Sequence, residues 1–390
     1  MHNTPQSASA RTRRRVLTAA TAVALATLVL AACSNDAPSG PSGNSGESAG
    51  WAGPEPVEGF EEVPTPGDPI DVSSLKGQTV YWIPITTQAP VFTVEAQAAK
   101  EAFAAAGIEF QLCDGKASPD AVSACVQQAI NAKAGGVIAT SIPPEFAQQS
   151  FAAAAEAGLA VEFVNTKDAT VPAEWGKKVA ALPSNFVRQM QVNGDIIIKD
   201  SGGKANILQI GVNDSSVTTQ AFEDGMKKYI DDNCPDCTRV DIQTGTTTVA
   251  NLASQVSAAL TKDPGINYIQ VEFDSFAPPA IQALRQLNKT DSVKVVTALG
   301  QLDSMQRLAD GSQFVDTGYS LAALGWNQAD IMMRLMLEQD PMIDAHVTPI
   351  RTHTKETVED LDLTEAGWLS GEWSSDDDFR AMFRTLWGVE

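Results

Sequence analysis

Histidine is nearly absent from this chain: three occur in 390 residues, and away from the amino terminus only His346 and His353 remain. Most general-base schemes need more than that. No His-Glu-x-x-His pair, P-loop or nucleophile elbow is present either, so the common hydrolase and nucleotide-binding signatures are missing. Basic side chains are outnumbered, 27 Lys and Arg against 48 Asp and Glu, for a net charge of −21. Such a balance disfavours nucleic acids and anionic lipid headgroups as partners. The lack of histidines near Cys234-Pro-Asp-Cys237 speaks against zinc. Asp376-Asp377-Asp378 lacks the alternating oxygens and closing Glu of a calcium loop and reads as the solvated start of a helix ending near Trp387. Neither a metal nor a cofactor is expected.

What the chain does have is an amino-terminal export signal. Arg11, Arg13, Arg14 and Arg15 form a basic region, and residues 16 to 32 form an apolar run too short and too rich in Ala and Thr for a membrane span. A general secretory route and a twin-arginine route both fit Thr12-Arg13-Arg14-Arg15-Val16-Leu17. The run closes on Leu30-Ala31-Ala32-Cys33, which resembles a bacterial lipobox: cleavage before Cys33 would leave a diacylglycerol on its sulfur. Two acyl chains, at roughly 0.8 kcal/mol per buried methylene, hold a domain at a membrane it does not span. Ordinary signal cleavage that leaves Cys33 as a free thiol is the alternative. Removing residues 1 to 32 takes away four arginines and no acid, leaving 23 basic against 48 acidic residues and a net charge of −25.

Residues 33 to 77 are Ser, Gly, Pro and Glu with few aliphatic side chains, too little apolar surface to offset the entropy of ordering. They are expected to form a tether with a reach on the order of 35 to 40 Å. About 310 residues remain, enough for two lobes with separate cores. Beyond Cys33 the cysteines come as two close pairs, Cys113 with Cys125 and Cys234 with Cys237, which in an exported chain suggest disulfides. A redox role for the second pair would want a helix starting after the first cysteine, whereas here the motif separates a helix ending near 232 from a strand starting near 239.

Strands alternate with helical patterns, the mark of parallel α/β construction. Strands are expected at 79–85, 108–112, 136–140 and 161–165, with helices between, the first carrying Val94, Ala98, Ala102 and Ala105 on one face. After residue 184 the pattern starts again, with strands at 206–210, 240–244, 268–272 and 294–298 and helices at 185–201, 219–232, 249–262 and 277–287. The fold class is α/β, with two Rossmann-like lobes of parallel sheet and a ligand cleft between them beyond the carboxyl ends of the strands.

From about residue 78 to 345 the chain resembles the type I periplasmic binding proteins, the ribose-binding-like solute receptors of ABC importers. The order of elements carries the resemblance, together with Ala89-Pro90-Val91-Phe92 after the first strand, Glu223-Asp224-Gly225, Phe273-Asp274 and the closing Phe383-Arg384-Thr385-Leu386-Trp387-Gly388. The resemblance implies three crossings between lobes, lobe 1 being 78–183 plus about 322–345 and lobe 2 being 184–321 plus about 346–390. It also implies a site at Ala89, Val91, Phe92, Asn165, Thr166, Gln220, Phe273, Asp274, Leu299 and Tyr319. Several of these positions have competing readings: Phe92 as a packed helix start, Asn165 as turn chemistry, Gln220 as part of a helix cap, and Asp274 as a partner of a helix amino end. Relative to sugar binders of that family, charged ligands of the sugar are replaced by apolar or aromatic groups, so an uncharged ligand with an apolar face is expected.

The reading that follows is a monomeric, lipid-anchored, extracytoplasmic receptor that closes on a small solute and delivers it to an ABC permease. A sensory lipoprotein presenting its ligand to a receptor kinase is the alternative, and an extracellular hydrolase using two of the many carboxylates is a third. Trp368, Trp373 and Trp387 are expected to pack the tail onto a lobe.

Overall fold

A computed structural model describes residues 63–168, 170–373 and 379–389. The signal, Cys33, most of the tether and the acidic run 376–378 lie outside the described residues. The first sheet uses β1 (Thr79–Pro84), β2 (Glu109–Leu112), β3 (Gly136–Thr140), β4 (Ala160–Thr166) and β5 (Val179–Pro183). Its order is β2-β1-β3-β4-β5, with every pair parallel. All of β3 and β4 is buried, as for parallel strands covered on both faces. The covering helices are α1 (Val91–Ala105), α2 (Pro119–Ala132) and α3 (Gln148–Glu156). Proline at the first position of α2 and Asp120 in its first turn suit a helix start.

The chain then enters a second sheet. Here α4 (Phe186–Ser201), β6 (Asn206–Val212), α5 (Ser216–Gln220), α6 (Lys228–Asn233), β7 (Thr238–Thr244), α7 (Leu252–Lys262), β8 (Tyr268–Val271), α8 (Ala277–Gln286), β9 (Lys294–Leu299), α9 (Leu302–Asp310) and β10 (Val315–Tyr319) follow in order. The strand order is β11-β10-β9-β8-β6-β7, with β11 (Ile350–His353) antiparallel on β10. The helix expected at 219–232 is interrupted: a π-helical stretch, Ala221–Lys227, separates α5 from α6. Gly225 lies in that stretch, and a Cβ there would come within 2.7 Å of the Met190 Cβ and 2.9 Å of the Val187 carbonyl on α4.

Three segments link the sheets: β5 to α4, β10 to α10 (Leu321–Met336), and α10 to β11. Helix α10 packs along α1 of lobe 1, not on the second sheet. Two expectations need correction. Residues 63–77 are not all tether, because Ile70, Val72 and Leu75 are buried in the core and Ile70 N–H donates to the Leu386 carbonyl at 2.9 Å. The tail after β11 is not simply part of lobe 2. It first lies on α9, where Val358 and Trp373 join Met305 and Leu308. It then forms α11 (Glu365–Ser370), which touches α1, and α12 (Phe379–Leu386), which packs on α10. Trp387 stacks on Trp326 of α10 with ring centroids 5.3 Å apart and planes 5° from parallel.

Below that stack lies a buried charged node. Asp330 accepts from Trp387 Nε1 at 2.6 Å and from Arg334 Nε at 2.6 Å, and it faces His346 Nε2 at 2.9 Å. Arg334 also donates to the carbonyls of Pro66 and Asp68. Both expected disulfides are formed, Cys113 to Cys125 and Cys234 to Cys237, with Cα atoms 5.8 and 5.3 Å apart.

Candidate functional site

Two carboxyl ends of the parallel strands carry residues with positive φ. Asn165, next to the last residue of β4, has φ +55°, and Leu299 ends β9 at φ +110°. A branched apolar residue with positive φ is uncommon and persists only where its surroundings hold it. At Leu299 the holding groups are two buried carboxyls: Asp316 accepts from Gly300 N–H at 3.0 Å, and Asp274 accepts from Gln301 N–H at 2.9 Å. Their other oxygens take the Thr297 hydroxyl, at 2.5 Å from Asp274 and 3.0 Å from Asp316, and Asp316 also accepts from Ser304. Burial, and then the adjacent Asp316, keep the Asp274 carboxyl well above the usual carboxylate range. Asp274 is therefore not a free acceptor in the cleft. It positions the 299–301 turn.

Around that turn the remaining site candidates fall into an inner and an outer group. Phe92 is 8% exposed and meets Trp82 edge-on at 6.4 Å. From lobe 2, Phe186 packs edge-on against Phe273 at 5.1 Å and Tyr319 at 6.1 Å. The Asn165 side chain of lobe 1 faces the Tyr319 phenol of lobe 2, whose titration is pushed far up by burial and by the charge of Glu95. Thr166 spends its hydroxyl on the Asp168 carbonyl at 2.7 Å. It borders an outer space of about 500 Å³ shared with Gln148, Lys167 and Asp168 of lobe 1 and Ser216 of lobe 2, a volume suited to a small ligand. Gln220, Ala89 and Val91 are half-buried, at the end of α5 and the start of α1.

Glu95 was missed in the sequence. It lies one helical turn after Phe92, among Val94, Ala98 and Ala102, and an acid at i+3 on an apolar face is the signal that could have marked it. It is 1% exposed, and one oxygen accepts from Thr140 at 2.7 Å and from Gln328, while the other has no partner. Burial raises this carboxyl to about 7. Arg334 is the only buried Arg or Lys among the described residues, and it is spent on Asp330 and two carbonyls. No group of His, Cys, Asp and Glu among the described residues is arranged to hold a metal.

A family profile described as a periplasmic binding protein domain matches residues 80–340. The chain belongs to the periplasmic binding protein family. No curated protein sequence matches it. Among solved structures, this periplasmic binding protein is similar to an ABC sugar transporter subunit from Rhodobacter sphaeroides, with 19% identity, a TM-score of 0.60, and coverage of 72% of this chain and 99% of that one. A solute-binding protein from Burkholderia graminis, in complex with D-arabinose, shows 18% identity, a TM-score of 0.62 and coverage of 73% and 98%. A 5-methylthioribose transporter solute-binding protein from Thermotoga lettingae, in complex with 5-methylthioribose, shows 15% identity, a TM-score of 0.63 and coverage of 84% and 99%. At these identities the likeness is one of fold, the type I periplasmic binding protein fold of two α/β lobes. These relatives are named as transport proteins and not as enzymes, and the family places the protein outside the cytoplasm. No helix among the described residues is long and apolar enough to cross a membrane.

Proposed function

We propose that this periplasmic binding protein captures a small uncharged solute, a sugar or a sugar derivative with an apolar part, and delivers it to an ABC importer. One observation carries the reading. Uncharged side chains from both lobes meet at the strand ends, Asn165 of lobe 1 against Tyr319 of lobe 2, which joins Phe273 through Phe186, while the one buried guanidinium among the described residues is engaged elsewhere. An ionised ligand would need a fixed countercharge. Phe92, Asn165, Phe273, Leu299 and Tyr319 would touch the solute. Thr166 and Gln220 would lie toward the opening, with Ala89 and Val91 at the rim. The solute stabilises the closed arrangement by touching both lobes at once, and the importer recognises that arrangement. A lipid on Cys33 would keep the monomeric receptor beside its permease.

Thermal unfolding of the intact chain with D-arabinose, D-allose and 5-methylthioribose tests this. A ligand at a hundred times its dissociation constant adds about 2.7 kcal/mol to the folded state. The shift should vanish in Phe92→Ala and Asn165→Ala. Stabilisation by charged solutes alone, or by none of these sugars, would overturn the reading.

A further inference from the structure

The three tail tryptophans do not share one role. All three pack, but Trp368 and Trp373 also border a narrow space of about 10 Å³ together with Val94, Leu299, Tyr319 and Ala322, room for about one water molecule. Val94 belongs to α1 of lobe 1, and Leu299 and Tyr319 end β9 and β10 of lobe 2, so the tail borders a space lined by both lobes. Trp373 is 4% exposed and its indole N–H has no acceptor. The Trp326 indole N–H also lacks one, but that ring lies under Trp387 and Phe383 and does not border the space.

The segment is fixed from both lobes. Thr364 caps α11 through Gly367 N–H at 3.2 Å. Arg351 of β11 donates to the Trp373 carbonyl at 2.8 Å, and Arg380 of α12 donates to the Ser370 carbonyl at 2.8 Å. Gly371, at φ +78°, runs so close to α10 that a Cβ would overlap the Ala322 methyl. A side chain there would push the segment off the cleft.

We propose that residues 364–373 are a ligand-contacting wall of the cleft, in which Trp368 presents an apolar ring and the Trp373 N–H donates to a solute oxygen. This rests on the solute-binding reading above and narrows it: the solute carries an apolar substituent beside an oxygen, as in an alkyl- or alkylthio-substituted sugar. The probe is 5-methylthioribose, the solute of the relative whose coverage exceeds the stretch from β1 to β11, with D-ribose as its counterpart lacking the thioether.

Calorimetric titration of the intact wild type, Trp368→Leu, Trp373→Phe and Phe92→Ala decides it. Trp373→Phe keeps an aromatic ring but removes the indole N–H, and it should weaken both probes about tenfold, the loss of one hydrogen bond. Trp368→Leu should weaken 5-methylthioribose about tenfold and D-ribose less than about twofold. Unchanged affinity in both tryptophan variants, with loss in Phe92→Ala, overturns the wall and leaves the solute reading standing. Equal losses for both probes in Trp368→Leu, together with a lowered unfolding temperature, make that ring packing only and overturn its assignment. A wild type that binds D-arabinose or D-allose but not 5-methylthioribose overturns the apolar substituent. One that binds none of the four sugars overturns the solute reading and the wall with it.

Discussion

Both lobes bury carboxyl groups, and they treat them in opposite ways. In lobe 2 Asp274 and Asp316 sit side by side, yet every oxygen accepts a hydrogen bond, two of the donors being the backbone N–H groups of the 299–301 turn. In lobe 1 both oxygens of Glu162 and one of Glu95 have no partner. Burial, with Asp330 and Glu95 nearby, pushes the Glu162 carboxyl well above its usual range. Glu272 of lobe 2 stands between the two cases, accepting from Val212 N–H at 2.6 Å with its second oxygen unpartnered. A buried acid in the sequence is thus not one signal. Burial raises the carboxyls of both lobes; where donors surround one, as at Asp274, it also builds a rigid turn, and where they do not, as at Glu162, it stands unpartnered beside α10.

The contrast can be broken most sharply at Asp316. Asp316→Ala strands Gly300 N–H and leaves the Ser304 hydroxyl without its acid, and it should cost about 4 kcal/mol in urea unfolding; a cost under about 1 kcal/mol would erase the difference between lobes. Next in size are two opposed pH dependences. Glu95 has its folded value raised to about 7, so its contribution is full below about 4.5 and is lost as pH rises through 7. His353 of lobe 2 is pushed down to about 4, by burial first and also by Arg351 against the opposing pull of Asp316. Its contribution is present above about 6.5 and is lost as pH falls through 4. Between about pH 4.5 and 6.5 the two slopes oppose each other. Relative to wild type, Glu95→Gln should gain roughly 3 kcal/mol from pH 4.5 to 7, and His353→Phe a similar amount from pH 6.5 to 4. Equal pH profiles for all three proteins would refute both assignments. The smallest effect belongs to Glu162→Leu, which removes no partner and should change stability by less than about 1 kcal/mol, or raise it. A large loss there would mean that Glu162 is partnered after all.

The alternation of strands and helices was legible because β3, β4, β6 and β8 are short apolar runs between turn residues. β10 was not, since Val315-Asp-Thr-Gly-Tyr319 buries an Asp whose partners lie on β9 and α9 and a Thr whose partner, Asn193, lies on α4. β5 and β11 were missed for a related reason: each is short, and β11 holds Arg351 and His353. At the site, Phe92, Asn165, Leu299 and Tyr319 were placed by resemblance; Tyr319 lies with Leu299 and beside Asn165, and Phe92 packs on Trp82. Asp274 was open to two readings, a ligand contact or a partner of a helix amino end, and the Gln301 N–H at the start of α9, 27 positions on, decides for the second. The tail defeated the sequence in the same way. Amphipathic spacing in α12 announces a packed helix, but which lobe receives it depends on Trp326, more than fifty residues earlier.

The node at Asp330 also sets an order of events. Its partners come from α10, from the link to β11 and from Trp387 just past α12, and Arg334 reaches back 268 positions to the Pro66 carbonyl. A chain that emerges amino end first leaves this carboxylate short of a donor until residue 387 arrives, and contacts so distant in sequence close slowly. Lobe 1 can gather its sheet early, yet its last buried charge is settled only when the tail docks. Docking of the segment that ends at Trp387 is therefore the contact that completes the node.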